Sequence, residues 1–235
     1  MPTILLDNVT KFYKNGKAVI KAVRDVSLEI EPGEFVFIIG SRGAGASTLL
    51  KLMSGTLPPD QGIVYLDGLN AARMSKWQIA RRDKYLSYVP QESNLIRTET
   101  VLRNMTTVRK RFGRLKKVNT NSVLIRKALG LVGMSGCEDH YPLEFSISEC
   151  RRIELARALL ISPKILLLDE FTDRMDDDTI WDMLHLLFEI NKRGTTIVMA
   201  THARQFVNIM RKRVITLVDG RVVGDVKKGR FGAIM

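Results

Sequence analysis

A chain of 235 residues, 45% of them hydrophobic, can bury a substantial core, which excludes an intrinsically disordered protein. Its formal net charge of +12 favours contact with anionic surfaces without specifying which one. Its two cysteines, Cys137 and Cys150, have no neighbouring cysteine at metal-ligand spacing. The sequence therefore supports neither a disulfide framework nor a zinc site, and we expect two reduced, structural thiols.

No apolar run approaches the length of a membrane-spanning helix, and the N-terminus lacks a charged segment followed by an apolar one. We therefore expect a cytoplasmic protein whose contact with a membrane is made through a partner. Basic residues are dense at 109–117, 211–213 and 227–230. Because no stacking aromatics are interleaved beyond Phe112, solvated faces are favoured over a nucleic-acid site, while a membrane-facing role stays open.

The first forty residues predict strands. Ile4 and Leu6 fit a short strand, Asn15-Gly16 marks a turn, and residues 26–30 alternate apolar with polar side chains. We expect antiparallel strands here. Residues 35–39 form a continuous apolar run, which is typical of a buried parallel strand, and an α/β region begins with it.

A glycine-rich turn follows that run and leads into a helix-like stretch at residues 48–50. In the pattern G-x-x-x-x-G-K-[ST], backbone N–H groups surround phosphates, lysine neutralises them and the hydroxyl residue holds Mg²⁺. Gly40, Gly45 and Ser47 fit, but Ala46 stands where the pattern has lysine. For this loop alone, a chance glycine turn remains an alternative. The residues predicted to contact phosphate are Gly40, Ser41, Arg42, Gly43, Ala44, Gly45, Ala46, Ser47 and Thr48.

The middle of the chain alternates strands with helices. Strands are predicted at 63–66 and 85–89, and helices at 76–83, at about 98–133 and at 148–161. Pro90-Gln91 ends the second of these strands abruptly. The long helical stretch between them resembles an insert.

A second chemical landmark follows at residues 165–168, where an apolar run ends in Asp169 and Glu170. A buried strand that delivers acids at its C-terminal edge places them where open α/β sheets bind ligands, beside the glycine loop. A helix is predicted from residue 176, and a strand at 195–200 carries His202 just beyond its tip. Two strands around Asp219-Gly220 close the chain.

This order of motifs resembles the nucleotide-binding subunits of ABC transporters, from about residue 3 to residue 231. The motifs that carry the resemblance are the glycine loop, Gln91 after a strand, Ser146 before a helix, Asp169-Glu170 and His202. Residues 189–202 and 210–215 are most similar to the cell-division branch of the family. The resemblance implies an α/β fold with a mainly parallel sheet core, an antiparallel β subdomain and a helical insert. It implies one domain over residues 1–235, with the helical subdomain at roughly 92–162.

The resemblance also implies roles for single residues, with ATP and Mg²⁺ as cofactors. Glu170 would be the general base for the attacking water, and His202 would contact the γ-phosphate. Tyr13 would stack on adenine, while Ser47, Asp169 and Gln91 would form the metal site. Further nucleotide contacts across a dimer would come from Ser146, Ser148 and Asp176. Three of these residues also have structural interpretations: Tyr13 as a strand aromatic, His202 as a partly buried histidine and Asp176 as a helix cap.

The departures from the family pattern lie on both sides of the implied nucleotide site. Ala46 replaces lysine, Arg42 stands where small residues are usual, and Phe171 replaces a proline. The signature reads F-S-I-S-E-C-R-R at residues 145–152, whereas the family reads L-S-G-G-E-Q-Q-R. Ile147 puts a branched side chain where a glycine lets the opposite subunit approach. We therefore expect impaired hydrolysis, and Arg42 is a hypothetical substitute for the missing lysine charge.

The implied function is an ATP-binding subunit of a membrane ABC complex in cell division. It would work as a homodimer at the cytoplasmic face of the plasma membrane, bound to an FtsX-like integral membrane protein that controls cell-wall hydrolysis. No specific nucleic acid is implied. Two alternatives stay open: a catalytically inactive scaffold of the same fold, and a lipoprotein-release or peptide-export ATPase subunit.

Overall fold

A computed structural model describes residues 3–16, 18–111 and 122–231. The strands in these ranges are β1 (Ile4–Asn15), β2 (Ala18–Ile30), β3 (Phe35–Gly40), β4 (Gln61–Leu66), β5 (Leu69–Asn70), β6 (Leu86–Val89), β7 (Ile165–Asp169), β8 (Thr196–Ala200), β9 (Arg213–Val218) and β10 (Arg221–Val226). The α-helices are α1 (Ala46–Met53), α2 (Lys76–Arg82), α3 (Val101–Arg111), α4 (Ser122–Leu131), α5 (Ile147–Leu159), α6 (Asp177–Lys192) and α7 (Arg204–Met210).

A four-stranded antiparallel sheet forms the first part of the chain, in the order β2-β1-β4-β5. This confirms the expected antiparallel strands. The alternating pattern at 26–30 covers only the last part of β2. The first part carries exposed apolar residues such as Val19 and Ile20, so it does not show the alternation of a half-buried strand. One face of this sheet, with Ile4, Leu6 and Val26, is buried.

A six-stranded sheet in the order β10-β9-β3-β8-β7-β6 forms the centre of the molecule. The strands β9, β3, β8, β7 and β6 are parallel, and β10 pairs antiparallel at the edge. Successive residues of β3 pack alternately into two hydrophobic cores, one on each face of the sheet. Phe35, Phe37 and Ile39 pack with the core that includes the helices α3 to α7, while Val36 and Ile38 pack with α1 and the antiparallel sheet. Burial on both faces explains the continuous apolar run.

The predicted helical insert contains α3, α4 and α5, which pack together through buried residues such as Val101, Leu129 and Ile153. Part of the stretch at 98–133, and most of the basic run at 109–117, lies outside the described residues. The helix α7 was not predicted. Within the described ranges, no helix combines the length and the apolar character needed to cross a bilayer.

The prediction of a solvated face for the basic run at 211–213 is wrong for Arg213. Its guanidinium donates to Asp225 at 2.8 and 2.7 Å and to Glu34 at 2.7 Å, and its side chain is 14% exposed. The hydrogen bond with Asp225 is the largest cause of its raised pKa. Arg213 therefore joins β9 to its edge neighbour β10 and to the start of β3.

Candidate functional site

The glycine loop at residues 40–47 connects β3 to α1 and is braced by the chain around it. The backbone N–H of Gly220 donates to the carbonyl of Ala44 at 3.0 Å, and that of Arg24 donates to the carbonyl of Gly220 at 2.7 Å. Gly45 precedes α1 with φ of 104° and gives the helix no side-chain cap. Gly45 therefore offers no side chain to the backbone N–H groups in the first turn of α1. Free N–H groups at the start of a helix can bind an anion such as a phosphate.

Two glycines of the loop allow a matched test of its packing. Both have positive φ, but a Cβ on Gly45 would lie 2.1 Å from the carbonyl oxygen of Ala22, whereas a Cβ on Gly43 meets nothing within 4 Å. We expect Gly43→Ala to lower the free energy of unfolding by about 1–2 kcal/mol, the cost of a left-handed conformation. Gly45→Ala should lower it clearly more, because backbone must move. Urea unfolding of both variants checks this, and equal losses would contradict it.

The strand β7 delivers Asp169 at its C-terminal end, directly beside the glycine loop. Asp169 is 1% exposed. The Ser47 hydroxyl donates to Asp169 Oδ1 at 2.9 Å, and the Tyr88 hydroxyl donates to Oδ2 at 2.9 Å. Burial is the largest cause of the raised pKa of Tyr88, and the charge and hydrogen bond of Asp169 add to it. Both carboxylate oxygens are therefore held by hydroxyl groups.

Glu170 follows at the sheet edge and contacts two of the other predicted residues. It has a positive φ of 46°, and its backbone N–H donates to the carbonyl of Ala200 at 3.0 Å. Gln91 Nε2 donates to Glu170 Oε2 at 2.6 Å, and His202 Nε2 lies 3.3 Å from Oε1. A cavity of about 230 Å³ opens at this point, lined by Glu170, Thr172, Asp173, Arg174, Thr201, His202 and Ala203.

The donor set at the end of β7 suits Mg²⁺, which prefers oxygen ligands and keeps several of its ligands from water and phosphate. Ser47 and Asp169 supply a hydroxyl and a carboxylate 2.9 Å apart. No cluster of three or more His, Cys, Asp or Glu suited to a metal occurs among the described residues. Gln91, also predicted at the metal, contacts Glu170 here.

The remaining predicted residues lie in helix caps or on the first sheet. Ser146 caps α5, accepting from the N–H of Glu149 at 3.2 Å, and its own backbone N–H binds that carboxylate and lowers its pKa. Asp176 caps α6 through Thr179, whose N–H lowers the Asp176 pKa. The cap interpretation of Asp176 thus holds in the single chain. Tyr13 is 40% exposed on β1.

Signature residues that depart from the family pattern lie at the start of α5. Ile147 is the first residue of the helix and is 52% exposed, and Ser148 is half-buried beside it. An exposed branched side chain at this position is available to meet a second subunit. Phe171, in contrast, is fully buried in the helical core.

A buried ion pair on α5 was missed by sequence reasoning. Arg151 is 5% exposed and Glu154 is 1% exposed, and Arg151 Nη1 donates to Glu154 Oε2 at 2.9 Å. The same nitrogen donates to the carbonyl of Pro90 at 2.6 Å. Glu154 Oε1 accepts from the Ser93 hydroxyl at 2.9 Å and from the Asn94 N–H at 2.8 Å. The pair therefore fastens α5 to the segment that carries Gln91.

Comparison with known proteins gives consistent matches, and the similar relatives align with nearly the whole chain. The model of the family described as "ABC transporter" matches residues 23–173. The chain is 36% identical over 232 residues to the cell division ATP-binding protein FtsE of Streptococcus pneumoniae serotype 2 (strain D39), covering 99% of each. It is 34% identical over 230 residues to FtsE of Bacillus subtilis (strain 168), covering 98% of this chain and 99% of that protein.

Among solved structures, the fold is similar to a dimeric ATP-binding cassette in a post-hydrolysis state bound to ADP and Pi. The TM-score is 0.88 at 31% identity, over 97% of this chain and 100% of that chain. This likeness confirms the expected fold, a parallel sheet core with an antiparallel subdomain and helices. The chain belongs to the ABC transporter family and is similar to its FtsE subunits.

Proposed function

We propose that this chain is the ATP-binding subunit of a membrane ABC complex in cell division, with impaired hydrolysis. The observation that carries the proposal is one cluster at the sheet edge, where Ser47 contacts Asp169 while Gln91 and His202 contact Glu170. The cluster lies at the loop whose glycine geometry fits a phosphate cradle. Similarity over nearly the full length to FtsE proteins, which are named cell division ATP-binding proteins, supports the biological setting.

In this proposal, the loop amides and the N-terminus of α1 bind the phosphates. Ser47 and Asp169 would hold Mg²⁺, which would supply positive charge to offset the negative charge of the phosphates. Glu170 orients the attacking water and takes its proton at a carboxylate oxygen. Its two oxygens contact Gln91 and His202, one contact each, so each oxygen keeps a lone pair for the proton of the water.

Two features support impaired turnover. Ala46 begins α1 where the family has lysine. A cation on the transferring phosphate is worth about 10³–10⁵ in rate. Ile147, exposed at the start of α5, adds bulk to the surface that would face the second subunit's nucleotide. Each half of a composite site is therefore altered.

The proposed partner is an FtsX-like integral membrane protein, with the chain as a homodimer at the cytoplasmic face of the plasma membrane. Similarity to FtsE supports the partner, and the dimeric cassette of similar fold supports the dimer. In this proposal Gln91 also couples the metal site to the helical insert, because the segment that carries it contacts α5 through Pro90 and Glu154.

A catalytically inactive scaffold of the same fold is the second candidate, and Ala46 is the observation that favours it. Calorimetry with Mg²⁺-ATP and turnover assays with the co-purified membrane partner distinguish the two. Binding together with turnover that Glu170→Gln abolishes would exclude the scaffold. A chain that binds no Mg²⁺-ATP would exclude the ATP-binding subunit, and failure to co-purify any membrane protein would contradict the partner.

Arg42 gives a separate prediction for nucleotide affinity. It is exposed within the loop, and none of the ion pairs between described residues includes it. If its guanidinium replaces the lysine charge, Arg42→Ala should weaken ATP binding by about 1.5–3 kcal/mol, the contribution of a hydrogen bond to a charged group. Calorimetry measures this, with the exposed Arg193→Ala as the control. Unchanged affinity would exclude Arg42 as the substitute.

A further inference from the structure

The Tyr88 hydroxyl is a contact of Asp169 to which the proposed function assigns no role. Tyr88 lies on β6, which pairs in parallel with β7 so that Tyr88 is opposite Leu167. Leu167 and Asp169 are two residues apart and share one face of β7. The phenol therefore reaches along that face, and its hydroxyl donates to Asp169 Oδ2 at 2.9 Å.

The other oxygen of Asp169 is directed at the glycine loop. Oδ1 accepts from the Ser47 hydroxyl at 2.9 Å, and Ser47 lies in the first turn of α1. A carboxylate that is bonded at both oxygens keeps one orientation about its terminal torsion, which is otherwise broad. With Oδ2 held by Tyr88, Oδ1 stays on the side where Ser47 and the loop lie.

We propose that Tyr88 is a positioning residue for the Mg²⁺ site. It holds the Asp169 carboxylate so that Oδ1 and the Ser47 hydroxyl stay together as a pair of oxygen ligands. This inference rests on the proposed binding of Mg²⁺-nucleotide. Partners of this kind around a metal ligand typically change metal affinity by about 10–100-fold when they are removed.

The test is the affinity for ATP, measured by calorimetry in the presence of Mg²⁺ and again with EDTA in its place. Tyr88→Phe keeps the ring and removes only the hydroxyl. We expect it to weaken Mg²⁺-ATP binding by about 10–100-fold and to leave Mg²⁺-free binding unchanged. Tyr85→Phe is the matched control, because burial and the nearby charge of Asp67, and not Asp169, raise the pKa of the Tyr85 phenol.

A second variant separates positioning from a general structural effect. In an Asp169→Asn background, Tyr88→Phe should have no further effect on Mg²⁺-ATP affinity, because the carboxylate it positions is gone. An unchanged or tighter affinity of Tyr88→Phe for Mg²⁺-ATP would overturn the proposal. So would an equal loss with and without Mg²⁺. If the unaltered protein binds no Mg²⁺-ATP at all, it is the proposed function that fails.

Discussion

Replacing Glu154 by glutamine is expected to lower the free energy of unfolding by about 3–5 kcal/mol, because Arg151 is then left charged and unpaired in the interior. Glutamine has nearly the same shape as glutamate, so packing is preserved. The side chains of Arg151 and Glu154 are 6% and 1% exposed. Water therefore has little access to the guanidinium of Arg151 once its partner is neutral. Urea unfolding at neutral pH measures the loss.

The control is an ion pair of similar geometry on the surface. Lys192 contacts Glu189 at 2.8 Å with both side chains more than half exposed, so Glu189→Gln should leave the unfolding midpoint unchanged. The double variant Arg151→Met/Glu154→Leu removes both charges and should be much less destabilised than Glu154→Gln. A double variant as unstable as Glu154→Gln would show that the unpaired charge is not the cause.

The same pair predicts a local effect near the site. Glu154 holds Ser93 and Asn94, and Arg151 holds the carbonyl of Pro90, directly before Gln91. We expect Glu154→Gln to speed amide hydrogen exchange at 91–94 before the rest of the chain opens, since local opening follows the loss of buried contacts. Uniform protection across the chain would contradict this local role.

The sheet core could be predicted from sequence because its strands are buried on both faces. The runs at 35–39 and 165–168 are apolar at every position, and their neighbours Gly40 and Asp169 end the strands where the patterns change. The helix α7 could not be predicted in this way. It has seven residues and follows His202 almost directly, so it is too short for a helical period to stand out.

The two contacts that sequence reasoning missed both depend on how distant parts of the chain pack together. Tyr88 and Asp169 are 81 positions apart, and only the register of β6 on β7 shows that they meet. Arg151 and Glu154 have ordinary helical spacing, which is typical of an exposed pair. Their burial depends on the segment after β6, which covers α5. This packing cannot be predicted from the local sequence pattern of either segment.

Replacing Ala46 by lysine should restore much of the missing phosphate contact. Ala46 is the first residue of α1, and helical side chains point toward the N-terminus of their helix, so a lysine here extends back over the loop. We expect Ala46→Lys to tighten ATP binding and to raise turnover on the order of 10³-fold once the opposite half-site is also repaired. Ala46→Met has similar length without charge and should do neither.

The proposed homodimer extends this prediction, because each composite site would join the loop of one subunit to the signature of the other. A chain with Ala46→Lys alone, or with Ile147→Gly and Ser148→Gly alone, repairs one half of each site in its homodimer. Mixing the two chains forms heterodimers in which one site has both halves repaired and the other has neither. We therefore expect the mixture to hydrolyse ATP faster than either chain alone, measured as phosphate release at equal total protein. A mixture that gives only the average of its components would exclude a shared site.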